Sequence, residues 1–215
     1  MSITAAQGFR AAGVAAGIKA SGRADLALVV NQGPRFDAAG VFTSNRVFAA
    51  PVAWSRQALA DGRLQAVVLN SGGANACTGR EGYQDTVAAA HRVASAVGCD
   101  PEAVGVCSTG LIGVRLPMEA LLAGVDQAHL VLADAGGDDA ARAIMTTDTV
   151  PKQASVQGVG GYTIGGMAKG AGMLAPALAT MLVVLTTDAV IDSPTLQASL
   201  EQATALTFDR IDSDG

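Results

Sequence analysis

The segment from Lys169 to Ala189 has the sequence KGAGMLAPALATMLVVLTTDA and joins a loop of small residues to a continuous apolar run. The run Met181–Thr186 contains only Met, Leu, Val and Thr, which is typical of a strand buried inside a sheet. The preceding loop is rich in Gly and Ala and contains Pro176, which favours neither a helix nor a strand there. Thr180 is therefore predicted to lie where a loop enters a core strand.

Outside this segment, short apolar runs alternate with Ala-rich stretches of helical periodicity, which predicts a mixed α/β fold without fixing the strand order. The other predicted strands are Leu26–Val30, Ala39–Thr43, Ala66–Leu69, Ala103–Cys107 and Gly161–Gly166. The predicted helices are Asp85–Val97, Pro117–Val125, Asp138–Ile144 and Thr195–Thr207, the last with Ser193 as its N-cap.

Thr180 has two interpretations from the local sequence. In the ordinary one it is simply the residue that begins a strand. In the other, its hydroxyl attacks the strained peptide bond before it, and cleavage leaves an α-amine on the same residue. An α-amine with an ordinary pKa of ~7.7–8.0 can accept the hydroxyl proton at neutral pH, as in enzymes with an N-terminal threonine nucleophile.

Lys169 is the one lysine in a stretch of Gly, Ala and Met. Burying an unpaired ammonium group is unfavourable, so such a lysine is expected to reach solvent, to pair with an acid or to bind a carboxylate ligand.

Three earlier segments also carry polar side chains after apolar runs. Asn70–Gly79 reads NSGGANACTG, Cys107–Gly113 reads CSTGLIG, and residues 145–152 read MTTDTVPK. The first is a ligand loop or a structural turn, and the third is a substrate-binding cluster or a helix cap. In the second, the Thr109 hydroxyl and the Gly110 N–H either stabilise a negative oxygen during acyl transfer or form an ordinary turn.

The overall composition excludes several classes of protein. The 215 residues are 50% hydrophobic and 15% charged, with a net charge of -5 and no basic block, which argues against nucleic acid or an anionic membrane as partner. The longest apolar stretch, Met173–Leu185, is interrupted and shorter than the roughly 20 residues of a membrane span. The N-terminal sequence MSITAAQGFRAAG does not resemble a signal or transit peptide, so we expect a cytoplasmic protein.

Cysteine and histidine are few. Cys77, Cys99 and Cys107 are widely spaced, which predicts buried free thiols rather than disulfides. His91 and His129 have no neighbour at metal-ligand spacing, so neither a metal site nor a Ser-His-Asp triad is expected.

The four segments occur together and in order after Gly8–Gly13, whose sequence is GFRAAG. In this arrangement the chain resembles the bifunctional ornithine acetyltransferase family, also called glutamate N-acetyltransferase, of the cyclic arginine pathway. The resemblance covers nearly the whole chain and is most specific in its last segment. It implies a layered α/β sandwich of the DmpA/ornithine acetyltransferase-like type.

The resemblance also implies a role for particular residues. The precursor would cleave itself between Ala179 and Thr180, so that residues 1–179 form an α chain and residues 180–215 begin a β chain. Thr180 would be the nucleophile that carries the acetyl group from N-acetylornithine to glutamate. The oxyanion hole would be formed by Thr109 and Gly110, and substrate would be bound by Thr146, Lys169 and Thr180.

The family resemblance implies no cofactor and no metal, although some members also use acetyl-CoA as an acetyl donor. It implies an assembly of two α and two β chains, and because family members are longer, we expect this chain to be a fragment lacking the C-terminal half. Two other functions remain open at this stage. One is a related self-processing aminopeptidase or amidohydrolase, and the other is a non-catalytic module that binds amino acids.

Overall fold

The computed structural model describes residues 2–178 and 180–213. Ala179, on one side of the predicted cleavage point, lies outside the described residues. The strands are β1 (Phe9–Val14), β2 (Leu26–Asn31), β3 (Ala66–Gly73), β4 (Val104–Leu111), β5 (Lys152–Gln157), β6 (Thr163–Lys169) and β7 (Leu182–Thr187). The helices are α1 (Ala50–Ala58), α2 (Gly79–Val97), α3 (Met118–Leu130), α4 (Gly137–Ala143) and α5 (Ser193–Leu206).

The first sheet has the strand order β1-β2-β3-β4, with β3 and β4 parallel and the other pairs antiparallel. Its central strand β2 is buried on both faces. Leu26, Leu28 and Val30 pack in the core shared with α1, α2 and α3, whereas Ala27 and Val29 face a second core with α4. Alternate side chains of a strand point to opposite faces, so an uninterrupted apolar strand joins two layers. The layered α/β architecture that the sequence predicts is confirmed.

Helix α1, which the sequence analysis did not predict, covers the outer edge of β4. The Ser55 hydroxyl donates to the Val106 carbonyl at 2.8 Å and accepts from the Val106 N–H at 2.9 Å. The Trp54 indole N–H donates to the Val104 carbonyl at 2.9 Å. These side chains satisfy backbone groups that an edge strand would otherwise leave unpaired.

The second sheet has the order β5-β6-β7 and is antiparallel throughout. It packs on the first sheet and α4 through Met167, in a core that includes Ile3, Leu69 and Ile144. Strands β6 and β7 form a hairpin in which Lys169 is paired with Leu182. The loop of residues 170–181 therefore begins and ends at one point of the sheet.

Two predicted strands differ from the structure. The strand predicted at Ala39–Thr43 is wrong, because this segment is irregular. The backbone N–H and carbonyl of Gly40 bond at 3.1 Å each to the side-chain amide of Gln197 rather than to a neighbouring strand. Strand β7 is present but half exposed rather than buried, with Leu185 50% exposed. Among the described residues it pairs only with β6.

Helix α5 begins at Ser193, two residues before its predicted start at Thr195. The side chain of Asp192 accepts from the Thr195 N–H at 2.9 Å and is the N-cap. Ser193, the predicted N-cap, instead donates its hydroxyl at 2.5 Å to the Gly62 carbonyl, which ties α5 to the turn before β3. Within the part of the chain that the structure describes, no helix is both long enough and apolar enough to cross a membrane.

Candidate active site

The parallel pairing of β3 and β4 brings two of the quoted segments together. Ser71 is paired with Thr109 and Gly72 with Gly110. Gly110 has φ +131°, and a Cβ atom at this position would lie 2.5 Å from the backbone carbon of Gly72. Only glycine allows this close approach with this backbone conformation. The predicted oxyanion-hole pair Thr109 and Gly110 is therefore held at the end of two adjacent parallel strands.

The other polar side chains of these segments stabilise the local backbone. The Ser108 hydroxyl donates to the Asn70 side-chain oxygen at 2.5 Å, and the Asn70 amide donates to the Gly73 carbonyl at 3.0 Å. The Ser71 hydroxyl donates to the Ala143 carbonyl. These bonds support the interpretation of residues 70–73 as a structural element that shapes the end of β3.

Lys169, at the end of β6, reaches across from the second sheet to Thr109. Its ammonium group donates to the Thr109 hydroxyl oxygen at 3.0 Å, and the two residues are only 4% and 1% exposed. Because the ammonium is the donor, the Thr109 hydroxyl proton remains available for another acceptor. Burial lowers the pKa of Lys169, and the positive charge of Lys152 acts in the same direction while Asp148 opposes it.

Asp148 lies between the two predicted substrate-binding segments. It is 6% exposed and accepts hydrogen bonds from the Gly170 N–H at 2.9 Å, the Thr146 N–H at 3.2 Å and the Lys152 ammonium group. Burial acts to raise its pKa, but these hydrogen bonds, led by that from Lys152, outweigh it and lower the pKa to about 2. This aspartate lies within the segment MTTDTVPK but was not among the predicted site residues.

Lys19 also contributes to this region, although nothing in its own loop indicated it. Its ammonium group donates to the Met145 carbonyl at 2.7 Å and to the Ala24 carbonyl at 3.0 Å. Burial lowers its pKa, and Asp25 opposes this. Asp25 is fully buried and accepts from the backbone N–H groups of Ala16 and Lys19 at 2.7 and 2.8 Å. Lys19 could be assigned to this region only from the tertiary structure, because its partners are backbone carbonyls, which no sequence motif marks.

Thr180 lies two residues before Leu182, the partner of Lys169 in the hairpin. Its N–H donates to the Met173 carbonyl at 3.4 Å. Two residues of the preceding loop that are not glycine lie in the left-handed region: Met173 with φ +57° and Ala177 with φ +56°. Non-glycine residues in this region carry conformational strain.

The Ala177 carbonyl in this loop is held from another part of the chain. It accepts from both the N–H and the hydroxyl of Ser44, each at 3.0 Å. The loop that contains the predicted cleavage point is thus fixed two residues before Ala179.

Hydrogen bonds connect three of the predicted site residues, Thr109, Thr146 and Lys169, but do not include Thr180. Lys169 contacts Thr109 directly and is connected to Thr146 through Asp148. Thr180 makes no hydrogen bond to any of these residues within the described part of the chain, and its hydroxyl has no partner there.

The three cysteines are free thiols, and the described residues contain no cluster of metal ligands. The prediction of buried thiols is wrong for Cys77, which is exposed, whereas Cys99 and Cys107 are partly buried. Burial raises the pKa of Cys107 to about 12, so its thiol is a poor nucleophile at neutral pH. Across residues 2–178 and 180–213, no group of three or more His, Cys, Asp or Glu side chains is arranged to hold a metal ion.

Comparison with known proteins shows the family. The model of the ArgJ family matches residues 10–215. The chain belongs to the ArgJ family. It is 63% identical over 220 residues to the arginine biosynthesis bifunctional protein ArgJ of Mycolicibacterium paratuberculosis, covering 99% of this chain and 54% of that protein. The ArgJ of Streptomyces coelicolor is 64% identical over 215 residues, covering 100% of this chain and 56% of that protein. The chain therefore spans about half the length of these ArgJ relatives.

Solved structures of this family share the fold. The ornithine acetyltransferase of Mycobacterium tuberculosis, in complex with ornithine, matches with a TM-score of 0.81 and 58% identity, over 84% of this chain and 96% of that one. The ArgJ of Bacillus halodurans matches with a TM-score of 0.66 and 31% identity, over 87% of this chain and 88% of that one. The predicted ornithine acetyltransferase-type fold is confirmed.

Proposed function

We propose that the protein containing this chain is an acetyltransferase that moves the acetyl group of N-acetylornithine to glutamate through an acetyl ester of Thr180. The observation that carries this proposal is the buried bond between Lys169 and Thr109, at the same end of the β6–β7 hairpin as Thr180. Membership of the ArgJ family and the ornithine complex of the M. tuberculosis relative support the choice of substrate.

The first step of the proposal is self-cleavage. The Thr180 hydroxyl attacks the carbonyl carbon of Ala179, and the peptide bond is exchanged for an ester as the Thr180 nitrogen leaves. Water then hydrolyses the ester, which releases the Ala179 carboxylate and leaves Thr180 with a free α-amine and a free hydroxyl. The strained, Ser44-anchored loop before this point is consistent with a bond prepared for attack.

The second step is acetyl transfer to the enzyme. The Thr180 α-amine accepts the hydroxyl proton while the hydroxyl oxygen attacks the acetyl carbonyl of N-acetylornithine. The Thr109 hydroxyl and the Gly110 N–H stabilise the resulting oxyanion, and the proton passes to the ornithine nitrogen as the C–N bond breaks. Ornithine leaves, the glutamate amine attacks the acetyl ester, and N-acetylglutamate and free Thr180 are formed.

Thr146 and Lys169 have the role of binding the amino-acid substrate in this proposal. The ammonium group of Lys169 has three donor hydrogens, so it can bond to Thr109 and still bind a substrate carboxylate. We further propose that the mature enzyme contains two α and two β chains, needs no metal or other cofactor and acts in the cytoplasm. Acetyl-CoA is a candidate second acetyl donor.

Mass spectrometry of the full-length protein incubated with N-acetylornithine tests this function. We expect an added acetyl group on the fragment that begins at Thr180, and its loss when glutamate is added, with N-acetylglutamate as the product. A related aminopeptidase or amidohydrolase would instead release free acetate whether or not glutamate is present. A binding module would show neither cleavage nor a label, and a label on Ser108 or Cys107 would reassign the nucleophile.

A further inference from the structure

We propose that Asp148 is a positioning residue that holds Thr146 and Lys169 in one arrangement for binding the amino-acid substrate. This inference rests on the proposed function, since it concerns the same site. Asp148 itself does not contact the substrate; it acts through the two residues beside it.

The geometry gives Asp148 a connecting role. One carboxylate oxygen accepts from the N–H of Gly170, the residue directly after Lys169, at 2.9 Å. The other oxygen accepts from the N–H of Thr146 at 3.2 Å. Thr146 follows α4, whereas Lys169 ends β6, so one side chain fixes two separate elements at once. No hydrogen bond between these two residues is present among the described ones, and Asp148 supplies the link.

The charges around Asp148 are a second reason to assign it this positioning role. Asp148 is a nearly buried anion among three lysines: Lys152 bonds to it directly, and its charge acts on Lys169 and Lys19. The three lysines outnumber Asp148 and Asp25, the buried aspartate beside Lys19, so the region keeps a net positive charge that suits a substrate carboxylate. Without the carboxylate of Asp148, repulsion from the neighbouring lysines would lower the pKa of Lys169, and a smaller fraction of its ammonium groups would be protonated.

The direction of the pH effect follows from these charges. Burial lowers the pKa of Lys169, Lys152 lowers it further, and Asp148 raises it, while Lys19 is the other charged group electrostatically coupled to Lys169. Lys169 must be protonated to bind a carboxylate, so substrate affinity falls as the pH rises through its pKa. Neutralising Asp148 moves this loss of affinity to lower pH, and neutralising Lys152 moves it to higher pH.

The test is calorimetric titration of ornithine into the full-length protein across a range of pH, with no acetyl donor present. In Asp148→Asn, the side-chain NH₂ replaces one acceptor, so one of the two backbone N–H groups loses its partner. We expect ornithine affinity to fall at least about 10-fold near neutral pH, because a lost bond to a charged group weakens binding by this order. The alkaline midpoint of binding should also move to lower pH.

Two further variants test whether the shift of the binding midpoint follows the charges beside Lys169 and whether it is specific to Asp148. Lys152→Met should move the alkaline midpoint in the opposite direction, to higher pH. Asp134→Asn makes the same chemical change at an aspartate that is 84% exposed and pairs with Arg10 on the surface, so it should leave both affinity and midpoint unchanged. Titration of the ornithine amines is common to all variants and cancels in the comparison.

The outcomes are distinct. If Asp148→Asn lowers the melting temperature but leaves the affinity and the midpoint as in the parent, Asp148 has only a structural role and the proposal is wrong. A parent protein that binds no ornithine also overturns it. A parent that binds ornithine but transfers no acetyl group refutes the proposed acetyltransferase instead, while the binding measurements still decide the role of Asp148.

Discussion

The ammonium nitrogen of Lys169 lies 3.0 Å from the hydroxyl oxygen of Thr109, and this bond connects the ends of strands from two different sheets. Both side chains are almost completely buried. A buried lysine is unfavourable unless its ammonium group has partners, and the Thr109 hydroxyl is one such partner. The bond also orients the Thr109 hydroxyl so that its proton faces away from Lys169.

Self-cleavage should depend on the Thr180 hydroxyl. We expect full-length Thr180→Ala to remain one chain, because the variant has no nucleophile to attack the Ala179 carbonyl. Intact-mass analysis of freshly purified protein measures this directly. Thr180→Ser is the control, since it keeps a hydroxyl and should still give two fragments that meet at Ala179 and Thr180. Two fragments from Thr180→Ala would refute the proposed processing.

Lys169→Ala should affect substrate binding more than processing. Removal of the ammonium group takes away the proposed partner of the substrate carboxylate, and we expect the KM for N-acetylornithine to rise by on the order of 10- to 100-fold. Self-cleavage should continue, because Lys169 is not the nucleophile. Steady-state kinetics and intact mass measured on one preparation separate the two effects. A variant that no longer cleaves would show that Lys169 acts in processing instead.

Gly110→Ala should disturb the end of the β3–β4 pair. Its new Cβ would lie 2.5 Å from the Gly72 backbone carbon, a contact that flexible side chains cannot relieve. Gly113→Ala is a matched control, because Gly113 also has positive φ but has open space around its Cβ position. We expect Gly110→Ala to lower the free energy of unfolding by about 1–3 kcal/mol more than the control, as measured by denaturant titration. Equal losses would mean that this contact relaxes freely.

Ser44 should assist processing by holding the loop before the cleavage point. Ser44→Ala removes the 3.0 Å hydroxyl bond to the Ala177 carbonyl but keeps the backbone N–H bond. Loss of one hydrogen bond predicts self-cleavage slower by roughly 2- to 10-fold, followed as fragment formation over time. Thr43→Val is the control, because the Thr43 hydroxyl is 3.5 Å from the same carbonyl and should matter less. An unchanged rate in Ser44→Ala would remove this residue from the mechanism.

Much of the fold was determined by the sequence alone. The apolar strand Leu26–Val30, the helix ending at Val97 and the run before Thr186 are set by local periodicity, and the structure has an element at each. The strand predicted at Ala39–Thr43 failed because a side chain 157 residues away, Gln197, satisfies the Gly40 backbone. No local pattern contains that information, because the competing partner is distant in the chain.

For the candidate site too, one part could be predicted from the sequence and another part could not. The motifs that contain Thr109, Gly110, Thr146, Lys169 and Thr180 are visible in the sequence, and their order is what indicated the family.

Only the tertiary structure decided how these residues are connected. The parallel pairing of β3 with β4 requires the glycine at position 110, and the packing of the second sheet on the first brings Lys169 to Thr109. Asp148 is buried between two segments, and Lys19 reaches the Met145 carbonyl from a distant part of the chain. Hydrogen bonds and charge interactions depend on distances in space, and separation along the chain does not determine those distances.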